Sequence, residues 1–214
     1  EFKSILPIVN ELNKNYKNIQ FLITTVTLSS ANLANDELKK FNNVTHRFFP
    51  VDVKFIIKQF LNLWRPNIIF LVDSEIWPNL ILTAKESKIP LCVINARLTK
   101  KSFKRWMLFP KSTNKIFQSI DLFLASNLET KKFLNDLEIE NVILNGNIKL
   151  IGRVNDEPIN NLNEQVLLRK RFWIAASTHE SEETFCLKTH LKIKQKYNDI
   201  VTIIFPRHIK GSNK

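Results

Sequence analysis

The sequence predicts an α/β protein built on parallel sheets and divided into two domains. Three observations predict it. Short apolar runs of strand-forming types alternate with longer stretches of helical periodicity along the whole chain, a pattern in which helical crossovers join parallel strands. Several apolar runs stop at polar residues followed at once by a helix start, and ligands of open α/β sheets bind at such carboxyl ends. A polar, proline-containing stretch at 155–163 then separates a long first series of elements from a short second one, as an interdomain linker does.

Taken in order, residues 4–15 carry Ile5, Leu6, Ile8, Val9 and Leu12 on one helical stripe. Glu1 stands just ahead, where a carboxylate complements the helix dipole. A strand at 19–25 ends in threonines. Thr27, Ser29 and Ser30 then precede a helical stretch reaching Phe41; their hydroxyls suit N-capping, or donation to an anion at the helix start. A strand at 44–49 stops at Pro50, and Asp52 is expected to cap a helix running to Trp64, which Arg65-Pro66 ends. The run Ile68 to Val72 is too short for a helix and reads as a strand. It leads into Asp73-Ser74-Glu75-Ile76-Trp77-Pro78-Asn79, with Pro78 placed to open a helix at its first position. A strand at 91–94 ends in Asn95-Ala96-Arg97, before a helix on which Lys100, Lys101, Lys104 and Arg105 interleave with Phe103 and Trp106. A strand at 121–125, a helix at 128–137 and a strand at 142–144 complete the first domain, residues 1–154. After the linker, residues 164–214 hold a strand at 172–176, a helix from Ser177-Thr178-His179 to about residue 196, and a strand at 200–205 ending in Pro206-Arg207-His208. Two strands cannot make a sheet with covered edges, so these residues are expected to be the start of a larger second domain.

Composition narrows the function. The 214 residues are 44% hydrophobic, enough for a sizeable core. Only three glycines, Gly146, Gly152 and Gly211, are present; no dinucleotide fingerprint or P-loop can be built from them. The formal net charge of +12 favours anionic partners. The basic, aromatic segment at 100–106 is either a solvated helix face or a patch that rests on a phosphate-rich surface. Cys92 and Cys186 have neither metal nor disulfide spacing and read as buried thiols of a reducing compartment. No apolar run approaches the roughly 18 residues that a membrane span needs.

Two strand ends of the second domain converge. Ser177 and Thr178 open a helix, so free N–H groups and hydroxyls meet at an anion-binding point; the same residues also make an ordinary capping motif with the carboxylates of the first turn. Arg207-His208 would bring a guanidinium and an imidazole to a phosphate, and both ends lie in one βαβ unit. A metal site from His179, Glu182, His190 and His208 lacks the spacing of zinc signatures, so no metal is expected.

Together these segments resemble one family. Asp73 to Asn79 looks like E-T-E-L-W-P-N, and Asn95-Ala96-Arg97-Leu98-Thr99 with Ser102 like N-A-R-L-S-x-x-S. Gly146-Asn147-Ile148-Lys149 looks like G-N-x-K, Ala176 to Glu183 like A-S-T-H-x-G-E-E, and Pro206-Arg207-His208 like P-R-H. These are motifs of the 3-deoxy-D-manno-oct-2-ulosonic acid (Kdo) transferases of lipopolysaccharide assembly. The resemblance implies a GT-B fold of two Rossmann-like domains facing across a cleft. It implies Kdo transfer from CMP-Kdo to the lipid A precursor, with inversion, without a metal or cofactor, on the cytoplasmic face of a bacterial inner membrane. Glu1 falls at the family's catalytic carboxylate. Glu75, Arg97 and Thr27 would lie on the acceptor side; Lys149, Ser177, Thr178, Arg207 and His208 would meet the CMP phosphate.

Some positions depart from the family pattern. Ser29-Ser30 replace a T-G pair, Ser181 replaces the Gly of the H-x-G-E-E segment, and Ile209-Lys210-Gly211 follow the P-R-H motif. The chain begins at Glu1, without the family's first strand and with little of its second domain, so by itself it is expected to be inactive. Two other readings stay open at this point: a basic α/β module that binds nucleic acid or an anionic surface without catalysis, and a GT-B enzyme using another nucleotide sugar. No nucleic-acid signature supports the first, and nucleic acid is not an expected partner.

Overall fold

The computed structural model describes residues 2–16, 18–151 and 167–207. Glu1, the linker at 155–163 and His208 lie outside the described residues. The chain divides into two compact units, Glu1–Val154 and Asn155–Lys214.

In the first unit the elements run α1 (Phe2–Asn15), β1 (Phe21–Thr25), α2 (Leu28–Glu37), β2 (Val44–Phe48), α3 (Lys54–Trp64), β3 (Ile69–Val72), α4 (Pro78–Glu86), β4 (Leu91–Ala96), α5 (Lys100–Trp106), α6 (Pro110–Phe117), β5 (Leu122–Ala125), α7 (Leu128–Asp136) and β6 (Val142–Leu144), followed by a 3-10 turn, Ile148–Leu150. Every strand pair is parallel. The strands do not form one continuous sheet: β1 pairs with β2, and β3-β4-β5-β6 form a separate four-stranded sheet. In both sheets consecutive strands lie side by side and are joined by helices, the connectivity of a doubly wound α/β fold.

β4 shows why the larger sheet is stable. All six of its residues are buried, as a central parallel strand requires. Period-two alternation sends Leu91 and Val93 into a core with Ile57, Leu80, Ile81, Phe117 and Phe123 from α3, α4, α6 and β5. Cys92 and Ile94 go to the other face, where Ile148 joins them and Ile8 of α1 packs against the cluster. Helices thus cover both faces. Each large side chain fully buried in this way contributes about 1.5–3 kcal/mol.

One expected cap is reassigned. Asp52 does not cap α3: the N-cap is Val53, with no side-chain bond. Its carboxylate instead caps α4, accepting from Asn79 N at 3.0 Å and Leu80 N at 2.9 Å. The cause is local to α4. Trp77 at its N-cap has no acceptor, and the N–H groups after Pro78 face open space until an anion meets them. Asn79 Nδ2 also donates to the Asp52 carbonyl at 2.7 Å. At the far end of α3, Arg65 takes a left-handed conformation (φ 45°) as the C-cap, in front of a proline that disfavours the right-handed one.

In the second unit, β7 (Phe172–Thr178) and β8 (Val201–Pro206) pair in parallel around α8 (Glu180–Lys194). This is the expected βαβ unit.

Candidate functional site

In the first unit the polar groups gather at the carboxyl ends of β3 and β4. Asp73 and Asn95 each leave a strand with left-handed backbone, φ 60° and 55°, a region that Asp and Asn tolerate better than other non-glycine residues. At Asn95 the register with β5 shifts between Val93 and Ala96, a bulge that re-aims the side chain. Asn95 Nδ2 donates to Asp73 Oδ1, and Asn95 Oδ1 accepts from Ile148 N at 3.1 Å. Lys149, next along, places Nζ 2.7 Å from Asp73 Oδ2. The Asp73 side chain is 6% exposed and that of Lys149 40%, so the carboxylate is enclosed while the ammonium reaches solvent. A charge-assisted pair of this kind fixes the cation at one point of the strand-end surface.

Around this network the backbone knits the two strand ends together. Ser74 Oγ donates to Arg97 O at 2.7 Å, and Arg97 N to Asp73 O at 3.4 Å. Arg97 is exposed and its side chain makes no ion pair among the described residues; Glu75 is half-buried. Trp77 is packed, its ring 5.0 Å from that of Phe49, so it shapes the loop. Gly146 has φ 80° with open space where a side chain would stand; the turn that delivers Lys149 needs glycine for its backbone, not for room. Thr27 lies at the end of β1, in the other sheet, as the N-cap of α2: its hydroxyl accepts from Ser30 N at 3.3 Å. Nearby, His46 Nε2 is 3.0 Å from Thr25 Oγ1, and burial, helped by the Arg47 charge, lowers the imidazole pKa.

In the second unit Ser177 takes φ 65° where the register of β7 on β8 shifts between Ala176 and Thr178. Thr178 is 6% exposed, and its Oγ1 has no hydrogen-bond partner among the described residues. Arg207 N donates to Thr178 O at 2.9 Å, which brings the two strand ends together. The start of α8 is a capping box, with Glu182 accepting from His179 N at 2.9 Å. Of the expected site residues, the structure therefore joins Glu75, Arg97 and Lys149 to one set of strand ends, and Ser177, Thr178 and Arg207 to another. Asp73 and Asn95 had not been assigned to the site from sequence. Their signal was a carboxylate and an amide directly after apolar runs.

The fold and the chain's relatives agree on its class. A crystal structure of a UDP-N-acetylglucosamine 2-epimerase superposes with TM-score 0.64 at 17% identity, covering 94% of this chain and 57% of that one. The UDP-GlcNAc 2-epimerase of Neisseria meningitidis, bound to UDP-GlcNAc, gives 0.60 at 17% identity, over 95% and 62%. The fold is thus mixed α/β with parallel sheets, of GT-B type. A profile described as 3-deoxy-D-manno-octulosonic-acid transferase (kdotransferase) matches residues 1–151. The 3-deoxy-D-manno-octulosonic acid transferase of Rickettsia bellii is 33% identical over 211 residues, 95% of this chain and 48% of the relative. That of Haemophilus influenzae is 30% identical over 212 residues, 97% and 49%. The chain belongs to the Kdo transferase family. It spans about half the length of the curated relatives it matches.

Proposed function

We propose that the protein is part of an inverting, metal-independent transferase that moves Kdo from CMP-Kdo to the lipid A precursor at an anionic membrane surface. The observation that supports this reading best is the Asp73–Asn95–Lys149 network, which presents a fixed ammonium at the strand ends where α/β sheets bind ligands. Glu1 is the general base. Its carboxylate takes the proton of an acceptor hydroxyl as that oxygen bonds to the anomeric carbon, an effect worth roughly 10²–10⁴-fold. The bond from that carbon to the phosphate oxygen breaks, and its electron pair leaves with CMP. The departing phosphate needs cations and hydrogen-bond donors rather than a proton. Lys149 and Arg207 are assigned the first role, and Ser177, Thr178 and the start of α8 the second; His208 is assigned to the donor as well. Glu75, Arg97 and Thr27 hold the acceptor, which itself carries phosphates. Asp73 and Asn95 act through Lys149 and are positioning residues.

The test is transfer from CMP-Kdo to lipid IVA by the full-length protein, for wild type, Glu1→Gln and Lys149→Met. Turnover should fall by at least roughly 100-fold in Glu1→Gln, and chelation of divalent metals should leave wild-type turnover unchanged. Undiminished turnover of Glu1→Gln removes the base from Glu1. Equal protection of the protein by CMP and UMP argues against a cytidine nucleotide donor.

A further inference from the structure

We propose that the turn of Met107, Leu108 and Phe109, between α5 and α6, is the surface by which this protein docks on an anionic lipid bilayer. The three side chains are 40%, 72% and 71% exposed. The backbone that carries them is held from below. Leu108 N donates to Arg105 O at 3.2 Å, Phe109 N to Trp106 O at 3.1 Å, and Thr113 N to Phe109 O at 2.9 Å. The buried Thr113 hydroxyl closes the turn with a 2.6 Å bond to Trp106 O. The apolar tip is thus presented by fixed structure, and apolar surface presented in this way marks an interaction site.

The charge around the tip selects the partner. Between Glu86 and Asp121 the sequence has eight Lys or Arg residues and no Asp or Glu. Lys100, Lys101, Lys104, Arg105, Lys111 and Lys115 flank the turn, and none is in an ion pair among the described residues. The aromatic residues of α5 do not belong to this surface. Phe103 stacks on Phe133 at 4.6 Å and Trp106 meets Phe117 edge-on at 5.3 Å, both directed to the core. An apolar tip ringed by cations matches a bilayer interface, with acyl chains beneath anionic headgroups. A second copy of the chain would bring the same cations and be repelled. Nucleic acid would engage the cations but has no place for Leu108.

This deepens the function proposed above by naming the membrane-facing surface. Vesicle binding needs neither donor nor acceptor, so the two readings can fail separately. The full-length protein is sedimented with phosphatidylglycerol–phosphatidylcholine vesicles and with pure phosphatidylcholine vesicles. Wild type should bind the anionic vesicles only. Leu108→Ser/Phe109→Ser should weaken that binding at least roughly tenfold. Lys104→Gln/Arg105→Gln should weaken it roughly 25-fold, about fivefold per cation near the surface. Both double variants should keep the wild-type thermal unfolding curve, since all four side chains are exposed. Wild-type binding by either variant overturns the proposal. So does self-association, measured by sedimentation, that the Leu108/Phe109 variant abolishes, or salt-dependent nucleic-acid binding that only the charge variant loses.

Discussion

At the carboxyl end of β4, Asn95 takes a left-handed backbone where the register with β5 shifts; at the carboxyl end of β7, Ser177 does the same where the register with β8 shifts. The two bulges differ in what their polar groups do. Around Asn95 the amide bonds the enclosed Asp73 carboxylate, and the Lys149 ammonium pairs with that carboxylate while reaching solvent. Beside Ser177, which is exposed, the buried Thr178 hydroxyl has no partner among the described residues. Satisfied buried networks add rigidity, whereas an unmet buried hydroxyl is a cost that a ligand can remove. The first arrangement holds a group in place; the second leaves a buried hydroxyl unmet among the described residues.

Substitutions can break this contrast. Asp73→Ala should have the largest effect, about 2–3 kcal/mol of stability by chemical denaturation, because it strands the buried Asn95 amide and frees Lys149; a loss under about 0.5 kcal/mol would mean the network organises nothing. The other face of β4 gives a pH test. Burial raises the Cys92 thiol from its ordinary 9.0 to about 11. The unfolded chain therefore releases this proton first. The stabilisation is complete below pH 9.0 and lost as pH rises toward about 11, by up to about 2 kcal/mol, and Cys92→Ala should flatten that decline in a pH series of unfolding curves. Asp52→Ala, which leaves two donors of α4 unmet, should cost about 1–2 kcal/mol. Gly146→Ala should cost about 1 kcal/mol through its left-handed backbone alone. Thr178→Val should change stability by no more than about 0.5 kcal/mol while lowering Kdo transfer; a clear destabilisation would show that the hydroxyl is already partnered.

Much of this was legible along the chain. Alternating apolar periods located all eight described strands, and Pro78, Pro66 and the hydroxyl of Thr27 marked helix ends through rules that act within a few residues. The polar residues after β3, β7 and β8 followed from the same reading, whereas Lys149 and Arg97 entered only through the family resemblance. The basic helix was recognised too, but its aromatic residues turned inward, and the apolar tip lay one turn further on.

By itself, then, the sequence determined the α/β alternation, the parallel pairing it demands and the polar identity of the strand ends, because backbone preference and periodicity act over a few residues. Tertiary structure alone decided which of those polar groups meet. Asp52 caps a helix 27 residues on, Asn95 holds a backbone N–H 53 residues on, and Lys149 comes to rest on Asp73. Such partners are set by which strands lie side by side and where a bulge turns a side chain, and no local spacing encodes either.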